Sequence, residues 1–578
     1  MTERANLHSL EFPSIYRTIA LYATIPILVG SVSVVAFGTT ITGVLNHLPT
    51  ATYDVSLSFL RMSAAYAASL GFSLAYGYYA ATRRTGEKVM IPILDILQSV
   101  PILGFFPVAI YFFVDLTPAV SWLGPNLASV FLIFTSMSWN MVFGVYESLK
   151  TLPAELREAA DSFGLRGLQR FRRVLFPATV NRLVYNSVLS WTGGWFFLVE
   201  AEIFTTNTQP LRGIGSYLSF SASAGNYDAF LAGVIVLAIV IALLDVVLWR
   251  PLGRLAERFR YDTAPSGEGE LIVHSREASG PFRRAASYVT RGVRTSVSWL
   301  STSFAQLASL TGRPTRKPSE FQRSALYNLA LGTILVLVWL MLIAITVAVF
   351  RVFTGPISAS VRHQIQLLPL AMAASTGRIV LAYAICLAIA LPLAIYVARR
   401  PRASRVGLPI IEIIASFPAT ALFPVIIFGA IPYLTAQGAA ILMLMTGMLW
   451  YLFFNLLAGV RSLAPDLEEA ARSFGLKSRQ FFRRVLFPGL FPALVTGSIT
   501  AFGGGWNTLI VAEYLNVGGS HTLSVLGIGQ QIDIGYAEPG GTALMVAALF
   551  TLVATVVAIN ELIWKPMYRR AAERFRYD

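Results

Sequence analysis

Residues 158–178, which read EAADSFGLRGLQRFRRVLFPA, recur at residues 469–489 as EAARSFGLKSRQFFRRVLFPG. Fifteen of the 21 aligned positions are identical. Each copy is polar and basic, has a glycine near its middle (Gly164 and Gly475), and lies between two long apolar stretches. The repeat therefore predicts a helical element that occurs twice in the chain, each time in a loop between two membrane spans.

The composition of the 578-residue chain predicts an integral membrane protein. Hydrophobic residues make up 55% of it and charged residues only 13%, against roughly 25% charged residues in soluble domains. The net charge of +15 would suggest nucleic acid binding in a soluble protein. Here Lys and Arg concentrate in short loops on one side of the predicted spans, as the positive-inside rule expects. The charge therefore reports topology, and we expect no nucleic acid partner.

The residue types that bind metals, form disulfides or hold nucleotides are sparse. Cys386 is the single cysteine, so an intrachain disulfide is impossible, and no two of the five histidines have metal-ligand spacing. No Gly-Lys pair occurs, which excludes a phosphate-binding loop of the Walker type. We therefore expect no cofactor, no metal and no catalytic residue in this chain. If ATP drives the protein, another chain must bind it.

Apolar runs of about 20 residues or more predict six membrane spans in each half of the chain. The first run is too long for the core of a signal peptide. The alternate loops near residues 46–58, 114–121 and 205–227 contain Arg212 as their only Lys or Arg, so both ends of the first half are expected in the cytoplasm. The predicted spans lie near residues 18–45, 59–82, 92–113, 122–146, 179–204 and 228–249, and then near 329–350, 378–398, 409–431, 437–457, 493–515 and 542–564.

The second half repeats the plan of the first. Arg61, Trp195 and Glu202 correspond to Arg378, Trp506 and Glu513 in the aligned sequences. Because each half has an even number of spans, both enter the membrane from the same side, and the repeats are parallel about an axis along the membrane normal. The prediction is an all-α integral membrane protein of about 12 transmembrane helices, in two parallel six-span repeats with a pathway at the axis.

The expected domain organisation is a first unit at residues 1–262, a cytoplasmic basic linker at 263–323 and a second unit at 324–578. The linker is rich in Ser, Gly, Arg and Thr. Either it is a tether of low order, or residues 282–310 form a basic amphipathic helix on the membrane surface.

The duplicated stretch resembles the signature loop of the membrane-spanning permease subunits of ATP-binding-cassette importers. That pattern is Glu-Ala-Ala, three residues, Gly, nine residues, an aliphatic residue, one residue and Leu-Pro. Both copies match it, except that Phe176 and Phe487 replace the usual Leu. The resemblance implies two type I permease units fused in one chain of a prokaryotic inner membrane. It also implies two cytoplasmic ATPase subunits and an extracytoplasmic solute-binding protein as partners.

In that family the loop folds into short coupling helices that dock on the ATPase. The resemblance assigns this role to Glu158, Ala159, Ala160 and Gly164, and to Glu469, Ala470, Ala471 and Gly475. The residue types suit it, because alanine lets a partner approach closely and glycine permits a sharp turn. A carboxylate near a helix start is favoured by the helix dipole. An ordinary amphipathic surface helix is the alternative, but it does not explain two copies at the same topological position.

Six residues are candidates for the translocation pathway: Arg61, Trp195, Glu202, Arg378, Trp506 and Glu513. Each arginine begins span two and each glutamate ends span five, both at the outer side. Either each Arg pairs with a Glu as a structural ion pair or snorkels to the interface, or the two Arg attract an anion that leaves the binding protein. The tryptophans either line the path or pack in the bundle. Asp95 and Glu412 are expected to brace the inner end of span three.

The segments at residues 94–108, 195–202, 411–425 and 506–513 look most like the nitrate, sulfonate, taurine and bicarbonate importers, which implies a small anionic solute. Iron(III) or thiamine import is an alternative, because fused permeases also occur there. A secondary transporter driven by an ion gradient is another. It is disfavoured because acidic residues occur only near span ends. A membrane-embedded enzyme is disfavoured because no paired nucleophile and base is evident.

Overall fold

The computed structural model describes residues 38–259 and 357–574, except residues 100, 166, 207–210, 464, 517–521 and 539. Most of the predicted first span, near residues 18–45, lies outside these ranges, as do all of the span near 329–350 and the predicted linker at 263–323. Below, residues 38–259 are called the first half and residues 357–574 the second half.

In the described residues the first half contains ten helices. Short turns of tighter or wider helical pitch join several of them, at Ile102–Phe105, Phe171–Leu175 and Asp245–Trp249. The helices are α1 (Ile41–Thr82), α2 (Arg84–Ser99), α3 (Phe106–Leu116), α4 (Leu123–Lys150), α5 (Ala154–Ser162), α6 (Gly167–Arg170), α7 (Phe176–Thr206), α8 (Ile214–Ser223), α9 (Tyr227–Leu244) and α10 (Arg250–Glu257).

The described part of the second half has nine helices and one small antiparallel sheet. Its joining turns are Ala419–Leu422, Phe482–Leu486 and Asn560–Trp564. In the sheet Leu515 lies opposite Leu523; the sequence did not predict it. The elements are α11 (Ala359–Arg399), α12 (Pro401–Ser416), α13 (Phe423–Arg461), α14 (Pro465–Ser473), α15 (Ser478–Phe481), α16 (Phe487–Glu513), β1 (Tyr514–Asn516), β2 (Thr522–Ser524), α17 (Ile528–Ala537), α18 (Thr542–Ile559) and α19 (Lys565–Arg574).

The predicted all-helical membrane class is confirmed. Six helical stretches of the described residues are long and apolar enough to cross a membrane, and a seventh is added if α12 and the start of α13 form one bent span. This is fewer than the predicted number of about 12, so the total and the parallel arrangement stay predictions. The six stretches are Leu123–Lys150, Tyr227–Glu257, Ala359–Arg399, Tyr433–Arg461, Ser478–Glu513 and Thr542–Ala571.

The prediction of a loop at residues 46–58 is wrong, because these residues form the first part of α1. Ala51, Val55 and Ser58 are buried, and their spacing of four and three residues places them on one helix face. Thr40 caps the helix start by accepting a hydrogen bond from the Gly43 N–H at 3.1 Å. The mixed polarity of residues 46–58 suggested a loop, whereas their buried residues recur at the three- and four-residue spacing of a helix.

The prediction of a continuous third span in each half is also wrong. Residues 92–113 divide into α2, the turn Ile102–Phe105 and α3, and the second half breaks in the same way between α12 and α13. Pro101 and Pro418 precede the two turns. Proline has no N–H to donate and disfavours helical geometry in the residue before it, so both copies break at the same place.

The two halves differ between the third and fourth predicted spans. Pro107 lies 51 residues before Glu158, whereas Pro424 lies 45 residues before Glu469. The first half uses its extra residues, 117–122, as a link between α3 and α4. The second half runs through as α13 with one break at Thr435, where φ is 62° and ψ is 170°.

Within each half the long helices pack on one another, α1 against α4 and α9, and α11 against α13 and α18. The halves meet at the two proline-preceded turns. In one contact the Ile102 N–H donates to Oδ1 of Asn507 on α16, at 2.7 Å. In the other, Oγ1 of Thr420 donates to the carbonyl of Phe196 on α7, at 3.2 Å. These contacts make the faces of α7 and α16 that carry Phe196 and Asn507 the meeting surface of the halves.

Candidate functional site: the duplicated helices and two buried ion pairs

The first duplicated stretch forms α5 and a tight turn after it. The Phe163 N–H donates to the Ala159 carbonyl and the Leu165 N–H to the Ala160 carbonyl, both at 2.9 Å. Gly164 sits between them with φ of +65°. This pattern of backbone bonds around a left-handed residue is a glycine-terminated helix end.

The second stretch forms α14 and ends in the same way. The Phe474 N–H donates to the Ala470 carbonyl at 2.9 Å, and the Leu476 N–H to the Ala471 carbonyl at 3.0 Å. Gly475 also has φ of +65°. The sequence repeat is therefore a repeat of backbone geometry, including the left-handed residue that only glycine adopts without strain.

A side chain at either glycine would meet open space. No heavy atom lies within 4 Å of a Cβ built on Gly164 or Gly475. The backbone angle, and not a steric clash inside this chain, is thus what requires glycine at both positions.

Each duplicated helix projects a large aromatic ring. Phe163 is 81% exposed and Phe474 is 83% exposed. Sequence reasoning did not select these residues, although their identity in both copies and their place next to the glycine were visible. What the sequence did not show was that the turn points both rings away from the protein.

The other predicted coupling residues fall into two groups. Glu158, Glu469 and Ala470 are exposed and Ala159 is half-buried. Ala160 and Ala471 are only 2% and 4% exposed, so these two alanines pack inside the chain itself. No observation tests the predicted contact of any of them with an ATPase, which stays a prediction.

The structure brings Arg61 and Glu202 together in a buried ion pair. Nη1 of Arg61 lies 2.6 Å from Oε1 of Glu202. The arginine also donates from Nε to Oδ1 of Asn126 at 2.7 Å and from Nη2 to the Arg212 carbonyl at 2.6 Å. Every guanidinium nitrogen therefore donates to an acceptor of the protein.

Glu202 is equally well bonded. Its Oε1 accepts from Oγ of Ser58 at 2.7 Å, and its Oε2 accepts from the Gly215 N–H at 2.8 Å. Ser58 accepts in turn from the Ile214 N–H at 2.8 Å. The network ties α1 and α7 to the start of α8, and its dense pairing is what a buried charge pair requires.

The second half contains the same network. Arg378 pairs with Glu513 and donates to Oε1 of Gln437 at 2.7 Å and to the Leu526 carbonyl. Glu513 accepts from Ser375 at 2.6 Å and from the Gly529 N–H at 2.8 Å. The serines and the acceptors Asn126 and Gln437 were missed from the sequence, because uncharged polar residues in apolar runs give no distinct signal.

Trp195 and Trp506 are buried, with 1% and 3% of their surface exposed. Trp195 lies seven residues before Glu202, so the two share one face of α7, the face that packs on its own half. The predicted role of these tryptophans in lining a path stays a prediction. Glu412 is half-buried, and the side chain of Asp95 lies outside the described part of the chain.

A second set of side-chain bonds, which we call the ties, lies near the duplicated helices in each half. Glu87 accepts hydrogen bonds from Nζ of Lys150 and from the hydroxyl of Tyr146, each at 2.6 Å. The bond from Lys150, followed by that from Tyr146, lowers the pKa of the Glu87 carboxyl. At the equivalent place in the second half, Arg461 donates to Oγ of Ser404 at 2.6 Å. Both halves therefore have a tie at the same place, but the first is made to a carboxylate and the second to a hydroxyl.

The protein is thus a helical membrane protein with two matching halves, each with an identically ended exposed helix. The family described as "Binding-protein-dependent transport system inner membrane component" matches residues 67–260 and 390–565. These ranges cover more than half of the chain, and the chain belongs to this family. It carries two permease units fused in one polypeptide, as the sequence predicted.

Relatives of several transport systems are similar to this chain. It is 28% identical over 165 residues to the glycine betaine/proline betaine transport system permease protein ProW of Escherichia coli (strain K12), covering 28% of this chain and 45% of ProW. It is 25% identical over 196 residues to the nitrate import permease protein NrtB of Leptolyngbya laminosa, covering 34% of this chain and 66% of NrtB. With the taurine transport system permease protein TauC of Escherichia coli (strain K12) it shares 30% identity over 146 residues, 25% of this chain and 51% of TauC.

Proposed function

We propose that this chain is the permease of an ATP-driven, binding-protein-dependent importer. Two ATPase subunits bind it from the cytoplasm, one at α5 and one at α14, and a solute-binding protein docks on the opposite side. Both termini are cytoplasmic, and the two permease units are residues 1–262 and 324–578. The observation that carries the proposal is the identical backbone ending of α5 and α14 with its exposed ring.

Phe163 and Phe474 support a docking role because exposed aromatic rings are the side chains that most often anchor an interface. Both rings occupy the same position of the duplicated motif. Two identical or related partner subunits could therefore bind them in the same way. The neighbouring charges differ, since Asp161 of α5 pairs with Arg170 at 2.7 Å, whereas Arg472 stands at the equivalent place in α14. We therefore expect two contacts of the same shape and unequal charge.

The buried ion pairs fit a mechanical role in this importer. Each joins α1 or α11 to the end of α7 or α16, at the far end from the duplicated helix. A helix braced at that end transmits a displacement of its other end instead of bending. Because each guanidinium nitrogen already has an acceptor, the structure favours bracing over direct attraction of an anion by Arg61 and Arg378.

The names of the relatives, which give nitrate, taurine and betaine as their solutes, support a proposal for the solute class. We propose that this chain transports a small solute with an acidic group, such as nitrate, a sulfonate, taurine, bicarbonate or a betaine. The path runs between the two halves, where α7 and α16 each contact the proline-preceded turn of the opposite half.

The test is a double variant, Phe163→Ser with Phe474→Ser, purified in mild detergent and reconstituted in vesicles. We expect the variant to keep its thermal stability but to lose bound ATPase and ATP-dependent uptake. The matched control is Phe220→Ser, which removes a ring that is 72% exposed on α8, away from α5 and α14, and should retain the ATPase. Full ATPase binding by the double variant would contradict the proposal.

A further inference from the structure

Glu200 on α7 is a buried acid that the networks described above do not use. It is 2% exposed, and its Oε2 has no hydrogen-bond partner among the described residues. α7 contains the predicted fifth span, near residues 179–204, and an ionisable side chain within a span is costly and usually marks a substrate or ion pathway. Glu202, two residues further on, has arginine, serine and backbone partners, whereas Oε2 of Glu200 has none among the described residues.

The two glutamates face opposite ways. In an α-helix two residues differ by about 200° around the axis, so Glu200 lies on the side of α7 opposite to Glu202. Glu202 faces α1 and α8 of its own half. Glu200 therefore shares its face with Phe196 and Phe204, which lie four residues before and after it.

That face meets the second half through aromatic rings. The ring of Phe196 lies edge-on to Phe423, with centroids 6.4 Å apart. The ring of Phe204 contacts Tyr536 of the second half and Phe106 of the first, both with centroids 5.6 Å apart. The carboxyl of Glu200 is thus on the aromatic meeting surface of the two halves, where the proposed path runs.

The second half offers no matching acid. Val511 stands at the equivalent place in α16, and Asn507 stands where the first half has Phe196. The amide of Asn507 is engaged with the backbone of the turn at Ile102. At these aligned positions of α7 and α16 the carboxyl comes from the first half alone, so the meeting surface is asymmetric at this place.

A carboxylate beside aromatic rings is the set of groups that binds ammonium ions, since the faces of the rings attract a cation and the carboxylate neutralises its charge. The same carboxylate repels nitrate or a simple sulfonate. We infer that Glu200 recognises an ammonium group of the transported solute, so that the solute is a zwitterion or cation and not a simple inorganic anion. This inference rests on the importer function proposed above and narrows its solute class.

The experiment uses the full chain with its bound ATPase and solute-binding protein, reconstituted in vesicles. Uptake is measured for ammonium-bearing probes (glycine betaine, taurine, choline) and for nitrate and methanesulfonate. We expect the wild type to take up at least one ammonium-bearing probe in an ATP-dependent manner. Glu200→Gln should lower that uptake at least about 10-fold, equivalent to about 1.4 kcal/mol. Glu561→Gln is the control, because it removes a carboxylate charge from the half-exposed pair with Lys565, and it should not change uptake.

A second measurement uses the wild-type protein, so its result does not depend on whether a variant folds. 3,3-Dimethylbutanoate has the shape of glycine betaine but a carbon in place of the charged nitrogen, and it should not compete with an ammonium-bearing probe in the wild type. Undiminished uptake by Glu200→Gln, or ATP-dependent uptake of nitrate or methanesulfonate alone, would overturn the inference and leave the importer function standing. Absence of any bound ATPase and of any ATP-dependent uptake would overturn both.

Discussion

The two halves of the chain keep the same network around Glu202 and Glu513 but differ two residues earlier, where Glu200 of α7 corresponds to Val511 of α16. The ends of α5 and α14 are also the same, down to the φ of +65° at their glycines. In the proposed importer, the features that are alike contact the ATPase pair or hold each half together. Glu200 and Val511 differ at the surface where the halves meet, which we propose lines the solute path. On this proposal, the divergence of one helix face makes the path asymmetric.

The halves also differ in parts that support the frame. The first half uses a six-residue link where the second passes through a single strained residue, Thr435. The first half ties Lys150 to the carboxylate of Glu87, and the second ties Arg461 to the hydroxyl of Ser404. The link and the tie thus occur at equivalent positions in both halves but are made by different residues. A substitution in one half can therefore be compared with its counterpart in the other.

The largest effect is expected at the shared ion pairs. Glu202→Ala and Glu513→Ala each leave a buried guanidinium without its counter-charge, so each should destabilise the protein by about 3–5 kcal/mol, equally in the two halves. The measurement is thermal unfolding of the detergent-purified protein. Glu561→Ala is the control, since its pair with Lys565 is about half exposed and should contribute less than about 1 kcal/mol. A loss below that value at Glu202 or Glu513 would show that the networks are not braces.

The next effect is expected at the helix ends. Gly164→Ala and Gly475→Ala should each cost about 1–2 kcal/mol through the left-handed backbone and lower ATP-dependent uptake. Because the space around both Cβ positions is open, replacement by Leu should do no more harm to the isolated chain than replacement by Ala. Asn, which tolerates this conformation better, should do less. If the Ala variants lose neither stability nor uptake, the left-handed backbone is not the reason for glycine at these two positions.

A smaller gain is expected at Thr435. A β-branched residue with φ of 62° and ψ of 170° occupies a region that is essentially restricted to glycine. Thr435→Gly should therefore stabilise the protein by about 1 kcal/mol, after allowing for the greater freedom of glycine in the unfolded chain. Thr117→Gly in the first-half link is the control, because its φ of −126° lies outside the left-handed region and the change should destabilise the protein. Thermal unfolding measures both, and a loss of stability in Thr435→Gly would contradict the account.

The smallest effect is expected at the tie of Glu87. Hydrogen bonds from Lys150 and Tyr146 lower the pKa of this carboxyl, so the stabilisation is present above the unfolded pKa of about 4.3 and is lost as the pH falls through the folded value. At pH 7 Glu87→Gln should slightly lower the melting temperature, and the difference should begin to shrink below the unfolded pKa of about 4.3 and disappear once the pH is below the lowered folded pKa. Ser404→Ala in the second half should show no such titration. A difference that is constant with pH at Glu87 would contradict the assignment.

Much of this arrangement was predictable because it depends on local patterns that occur twice. The repeat predicted α5, α14 and their glycine turns, and charges at the ends of apolar runs selected Arg61 and Glu202 together with their counterparts. The broken third spans were signalled by Pro101 and Pro418, yet hydropathy alone joined the pieces across them. The role of Glu200 was not predictable from the pattern, because its distinction from Glu202 depends on which face of α7 each occupies and on what packs there.

The most direct measurement of the central claim is the number of ATPase subunits bound to each chain. The complex is purified in mild detergent and weighed by mass photometry, and the bound subunits are identified by mass spectrometry. Two Walker-motif ATPase subunits per chain are expected, falling to one when either Phe163 or Phe474 alone is replaced by Ser. A wild-type complex without an ATPase, together with uptake that survives ATP depletion and collapses with the ion gradient, would contradict the account.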